Sequence, residues 1–197
     1  MFEIFDISGI IQTYGYPGIF IIVFLESGIF FPLPGDSLLF TAGLFAGAYN
    51  LNIFFLVPMI FVATFLGGLA GYYIGRNLIR LQNYSIFKKI LKQEHINKAH
   101  EFFVKYGKVA VIFCRFVPIV RTFVPIVAGV GSMDFQIFLR YNFLGSVLWS
   151  TTVTLLGFFL GNAFPEIKNY LWIVVILIIF VSLLPVFWEI WRKYKKV

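Results

Sequence analysis

Residues 53–75 carry no charged side chain, and Pro58 is the only helix-breaking proline among them. That run is long enough to cross a bilayer as one helix. It constrains the fold more than any motif, because a chain built from such runs must bury them in lipid. Four further apolar blocks share its character, at 16–49, 109–131, 143–160 and 171–188. Together they raise the hydrophobic share to 60%, against about 45–50% for a soluble domain. That balance argues against a soluble enzyme, a disordered chain and a disulfide scaffold.

The charges lie between the blocks. The formal net charge is +7, yet residues 1–75 contain no Lys or Arg, only Glu3, Asp6, Glu26 and Asp36. Eight basic residues then arrive between Arg76 and Lys108, and four more (Arg192, Lys193, Lys195 and Lys196) close the chain. A nucleic-acid binder would interleave its basic residues with the fold and stack bases on neighbouring aromatics. Segregated charge is the membrane pattern, and it places both basic zones on the cytoplasmic side. No basic segment precedes the first apolar run, so a signal peptide is not expected. Cys114, the single cysteine, excludes an intramolecular disulfide and a cysteine-based zinc site. His95 and His100 stand at i, i+5 in a polar stretch, which is not a same-face metal spacing. With no Ser/His/Asp arrangement, metal cluster or phosphate-cradling loop, neither an enzyme nor a metal or cofactor is expected.

Blocks 53–75, 143–160 and 171–188 each read as a spanning helix. Block 16–49 does not. As one helix it would measure roughly 50 Å, and it is interrupted at Pro32-Leu33-Pro34-Gly35-Asp36. Two half-helices meeting at that break make a re-entrant hairpin. Block 109–131 carries Arg115, Pro118, Arg121 and Pro125. Two crossings between the basic zones, not three, return the tail to the cytoplasm, so one of the blocks 109–131, 143–160 and 171–188 fails to cross, and this one, with two prolines and two arginines, is the candidate. Between the hairpins, Phe87, Ile90 and Leu91, then Ile96, Ala99, Phe102 and Phe103, recur at helical spacing and predict an amphipathic surface segment.

An internal repeat supports the scheme. Tyr14-Gly15 precedes the first hairpin block and Tyr106-Gly107 the second. Ala42-Gly43 and Ala128-Gly129 close them at an offset of 86, and Gly71–Gly75 and Gly157–Gly161 share that offset. The expected fold is all-α and polytopic, a single membrane domain over 1–197. It comprises a first repeat (14–75), an amphipathic cytoplasmic linker (76–108), a second repeat (106–163) and an extra C-terminal transmembrane helix (170–191). Each repeat is a re-entrant hairpin plus a spanning helix. The basic linker inverts one repeat relative to the other, as in many secondary transporters. Gly67, Gly71 and Gly75 form a small-residue ridge that suits close helix packing.

Four ionisable residues sit inside the hairpin blocks: Glu26 and Asp36 in the first, Arg115 and Arg121 in the second. Each would cost about 2.5–3.5 kcal/mol at the bilayer centre, so pairing or contact with water is required. Arg115 and Arg121 lie about 240° apart on a straight helix. Pro118 breaks that helix and lets both converge, while Pro34, Gly35 and Pro125 mark the other hairpin breaks. Two guanidinium forks suit a phosphate group. Glu26 and Asp36 would compete for the same arginines, so protonation of an acid would couple transport to protons. The same four charges would equally serve an ion-coupled transporter of a small solute or ion. In a structural membrane protein they would be salt bridges between hairpins.

Glu26, Pro34-Gly35-Asp36, Arg115-Phe116-Val117-Pro118-Ile119-Val120-Arg121 and the Ala128-Gly129 step resemble the DedA family, also called SNARE-associated or VTT-domain proteins. The resemblance runs from about Tyr14 to Gly161. It implies two inverted re-entrant hairpins in a cytoplasmic membrane, and translocation of undecaprenyl phosphate or a related phospholipid. It assigns functional acids to Glu26 and Asp36 and functional arginines to Arg115 and Arg121. Membrane lipids bearing a phosphate are then the expected partners, with protons as coupling ion and no nucleic acid.

Overall fold

The computed structural model describes residues 7–28, 35–46, 51–80 and 109–163. Among the described residues every regular element is helical. In chain order these are α1 (Ile7–Gly28), α2 (Gly35–Leu44), α3 (Ile53–Arg80), the single turn α4 (Ala110–Phe113), a 3-10 turn (Cys114–Phe116), α5 (Pro118–Val130) and α6 (Phe135–Ala163). The linker beyond Arg80, the C-terminal helix expected at 170–191 and Pro34 lie outside the described residues.

Length divides the helices into two classes. In α3 the apolar stretch Ile53–Leu78 holds 26 residues, and α6 holds 29. At 1.5 Å per residue these reach about 39 and 44 Å, enough to cross a hydrocarbon core of about 30 Å. With 10 and 13 residues, α2 and α5 reach only about 15 and 20 Å. The first helix is broken at Gly15, whose φ of 51° and ψ of −136° no L side chain adopts comfortably. Pro17 follows two residues later, where a fixed φ starts the next helical stretch.

Local chemistry explains the other boundaries. Asn52 precedes α3, and its Oδ1 accepts the Phe54 N–H at 2.9 Å. Asp134 precedes α6, and its Oδ1 accepts the Ile137 N–H at 3.0 Å. Both are side-chain caps that satisfy otherwise orphaned donors. Helix α5 closes with Ser132 at φ 54° and the Met133 N–H donating back to the Ala128 carbonyl at 3.0 Å, a Schellman-type stop.

The long helices run antiparallel. Near its start α3 contributes Leu56 and Ile60 to an apolar cluster with Ile19, Leu38, Leu39 and Trp149 of α6. Near its end it contributes Tyr72 to a second cluster with Val111, Val124, Ala128 and Phe138. The arms pack crosswise: α1 lies on α3 and α4 on α6, whereas α2 lies on α6 and α5 on α3. Large apolar side chains, among them Phe54, Phe55, Phe113, Phe143 and Phe159, face outward. An apolar exterior of this extent suits lipid as the solvent.

Glycines set the closest contacts. A methyl group on Gly43 would collide with the Thr154 carbonyl oxygen and approach the Phe158 nitrogen, and one on Gly129 would collide with the Tyr72 carbonyl oxygen and approach the Arg76 nitrogen. Likewise a methyl on Gly157 would strike the Phe40 carbonyl, and one on Gly75 the Ile126 carbonyl. These contacts match one to one, with a modification of the sequence expectation. Gly43 to Gly129 and Phe40 to Ile126 keep the offset of 86, but Tyr72 to Thr154 and Gly75 to Gly157 are offset by 82. The caps Asn52 and Asp134 share the offset of 82. Nine positions separate Gly43 from Asn52 and five separate Gly129 from Asp134. The shorter second turn therefore shifts α6 by about one helical turn. Gly157, rather than Gly161, is the packing counterpart of Gly75.

Candidate functional site

The expected charges lie between the two apolar clusters. Four short or broken elements deliver them. Glu26 sits in the last turn of α1 and Asp36 in the first turn of α2, where a carboxylate complements the helix dipole. Arg115 lies in the 3-10 turn and Arg121 one turn into α5. The break falls at Val117, whose extended φ of −114° and ψ of 107° separate the two arginines, with Pro118 as the first residue of α5. An extended residue before proline is the conformation the proline ring imposes. Gly35 is the first residue of α2. Pro125 does not break anything: it lies inside α5, which continues to Val130. The missing N–H removes only the bond that would reach the Arg121 carbonyl, a loss one short helix tolerates when it is packed against α3.

Arg121 is buried, with 3% of its surface exposed, and it bridges the two acids. Its Nη2 donates to Glu26 Oε1 and its Nη1 to Asp36 Oδ1 at 2.5 Å. Trp149 of α6 completes the setting. Its ring lies under the guanidinium at 4.5 Å from the centroid, and its indole N–H donates to Asp36 Oδ1 at 3.1 Å. One arginine thus ties α1, α2, α5 and α6 together through charge-assisted bonds and a cation–π contact.

Arg115 is equally buried but differently partnered. Its Nη2 donates to Asn142 Oδ1, and among the described residues no carboxylate reaches it. Asn142 is fully buried in α6 and donates through Nδ2 to the Phe65 carbonyl of α3 at 3.1 Å. Cys114 beside it is buried, its thiol donating to the Val111 carbonyl at 3.2 Å.

The four charges gathered from sequence are therefore brought into one buried region, but not as two arginines facing two acids. Arg121 takes both acids and Arg115 takes an amide. Asn142 and Trp149 were missed because block 143–160 reads as a plain spanning helix, and its apolar boundary excludes Asn142 by one residue. A signal was present. Asn142, Ser146, Ser150 and Thr154 recur every four residues and all four are fully buried, forming a polar stripe on one face of α6. Ser146 Oγ donates to the Asn142 carbonyl at 2.7 Å, which spends part of that polarity on the helix itself.

Comparison with known proteins is consistent across the chain. Residues 33–159 match the VTT domain. The chain is 41% identical over 95% of its length to an uncharacterized membrane protein of Mycobacterium tuberculosis, covering 84% of that protein. It is 37% identical over 94% of its length to protein DedA of Escherichia coli, covering 88% of it. It is 33% identical over 80% of its length to undecaprenyl phosphate transporter A of Staphylococcus aureus, covering 80% of it. No solved structure matches the chain.

Proposed function

The chain belongs to the DedA family of VTT-domain membrane proteins, and from that premise we propose that it carries a phosphate-bearing lipid, undecaprenyl phosphate or a related phospholipid, across the cytoplasmic membrane at the expense of a proton gradient. The observation that carries this reading is the buried bridge of Arg121 to Glu26 and Asp36, with Arg115 close by on the same chain segment. A guanidinium held by two acids can be released one acid at a time. Protonating Glu26 or Asp36 frees one Arg121 donor for a phosphate oxygen, and loss of that proton restores the bridge and expels the headgroup. Charges at broken-helix positions inside a membrane bundle usually mark a transport path.

The architecture we infer is two inverted repeats, each a re-entrant hairpin followed by a spanning helix. Three features support it: α2 and α5 are too short to cross, the arms pack crosswise, and the glycine contacts repeat at matched offsets. The basic linker (76–108) and the C-terminal tail then face the cytoplasm, with a helix over 170–191 completing the domain.

Purified protein in vesicles, with accessibility of the lipid headgroup read from outside, tests the function. The wild type should move a polyprenyl monophosphate faster with a pH gradient than without. Glu26→Gln and Asp36→Asn should lose that acceleration. Arg121→Lys keeps a charge but not the fork, and it should lose transport while still inserting. Normal lipid-phosphate translocation by the lysine variant overturns the headgroup role; a phosphate-independent proton current would instead mark an ion transporter.

A further inference from the structure

The two buried arginines differ in what surrounds them. The charge of Arg121 is matched by two carboxylates and a tryptophan face. Arg115 is a buried cation that, among the described residues, is held only by neutral groups. Its slot lies between two glycines of facing helices. A methyl on Gly68 of α3 would come 2.8 Å from Arg115 Nη2, and one on Gly145 of α6 would come 3.0 Å from Cδ and 3.2 Å from Nε. Nε itself is buried and, like that of Arg121, has no hydrogen-bond partner among the described residues. Asn142 orients the head. Because its Nδ2 donates to the Phe65 carbonyl, its Oδ1 is the atom presented to Arg115. An aspartate at 142 would make a buried ion pair at no cost in volume. The amide instead holds the guanidinium in place without cancelling its charge.

We propose that Arg115 and Asn142 form the seat of the anionic group, a phosphate monoester, with Arg115 as the ligand and Asn142 as its positioning residue. Arg121, once an acid lets go of it, adds its freed donor to the same group. The assignment rests on the lipid-phosphate reading above and adds to its acid-gated arginine a standing seat for the anion. It also makes position 142 a determinant of charge selectivity: a neutral amide admits an anion and a carboxylate excludes one.

Two variants of the full chain, purified in detergent, test this against a merely structural role. Asn142→Asp trades the bond to Phe65 for an ion pair with Arg115, so its melting temperature should stay near the wild type. Arg115→Gln keeps a donor for Asn142 and removes a buried charge, so it should melt no lower and fold even if Asn142→Asp does not. Binding is measured with farnesyl phosphate and, separately, with inorganic phosphate. Both variants should bind farnesyl phosphate at least about tenfold more weakly than the wild type, as loss of a charge-assisted bond implies. Wild-type affinity in both variants, or in Arg115→Gln alone if Asn142→Asp fails to fold, overturns the assignment. If that result accompanies intact wild-type transport, the lipid-phosphate reading stands without it. Binding of neither probe by the wild type overturns both. Equal wild-type affinity for the two probes keeps the phosphate seat and overturns the lipid as its source.

Discussion

Arg121 is the residue that holds the two acids of the site together. Removing one partner from a buried ionic network leaves an uncompensated charge and costs about 3–5 kcal/mol. Arg121→Ala removes the cation that both carboxylates share, so it should lose about that much stability, read as a lower unfolding midpoint in detergent. Trp149→Phe keeps a ring under the guanidinium but deletes the indole N–H bond to Asp36. It should cost about 1 kcal/mol, measured in the same way. At this scale the sequence was informative about which charges matter, because Glu26, Asp36, Arg115 and Arg121 are the ones that interrupt apolar blocks. It was silent about who pairs with whom. Pairing depends on Asn142 and Trp149, seven residues apart on one helix, so both lie on one face, with only their neighbours across the bundle giving them meaning.

Elements inherit their limits from local chemistry, but of these only the break at Pro118 is among the sequence expectations. Gly15, Pro118 and the Asn52 and Asp134 caps each act within a few residues of themselves. Asp134→Ala should fray the start of α6 and cost about 1 kcal/mol, visible as faster amide exchange in that first turn. Pro125 reads as a break in the sequence yet lies inside α5, because a proline signals a lost hydrogen bond, not whether packing compensates for it. The glycine pattern was half legible. A repeat is readable as spacing, but the four-residue difference in the turns shifts α6 by a turn, and only the contacts reveal which glycine meets which carbonyl. Gly129→Ala should therefore destabilise by about 1–3 kcal/mol, since its methyl would collide with backbone rather than a movable side chain. Gly15→Ala meets open space, and its penalty should come from the positive φ alone.

For the whole molecule the decisive property is that two antiparallel helices start at opposite ends of the bundle. Asn52 and Ser132, both exposed, mark those ends. In a Cys114→Ser background, a cysteine at Ser132 should be labelled by an impermeant maleimide only from the cytoplasmic side, and one at Asn52 only from outside. Labelling of both from one side would remove the inverted arrangement. Read alone, the residues imply a helical membrane protein and single out the four charges that interrupt its apolar blocks. Both follow from the cost of charge in lipid, which acts locally and can be read residue by residue. That Arg121 closes on both acids while Arg115 rests on Asn142, and that α6 is displaced by a turn, emerged only from the packed helices. Those outcomes depend on how four helices approach within van der Waals contact, which no single stretch of sequence contains.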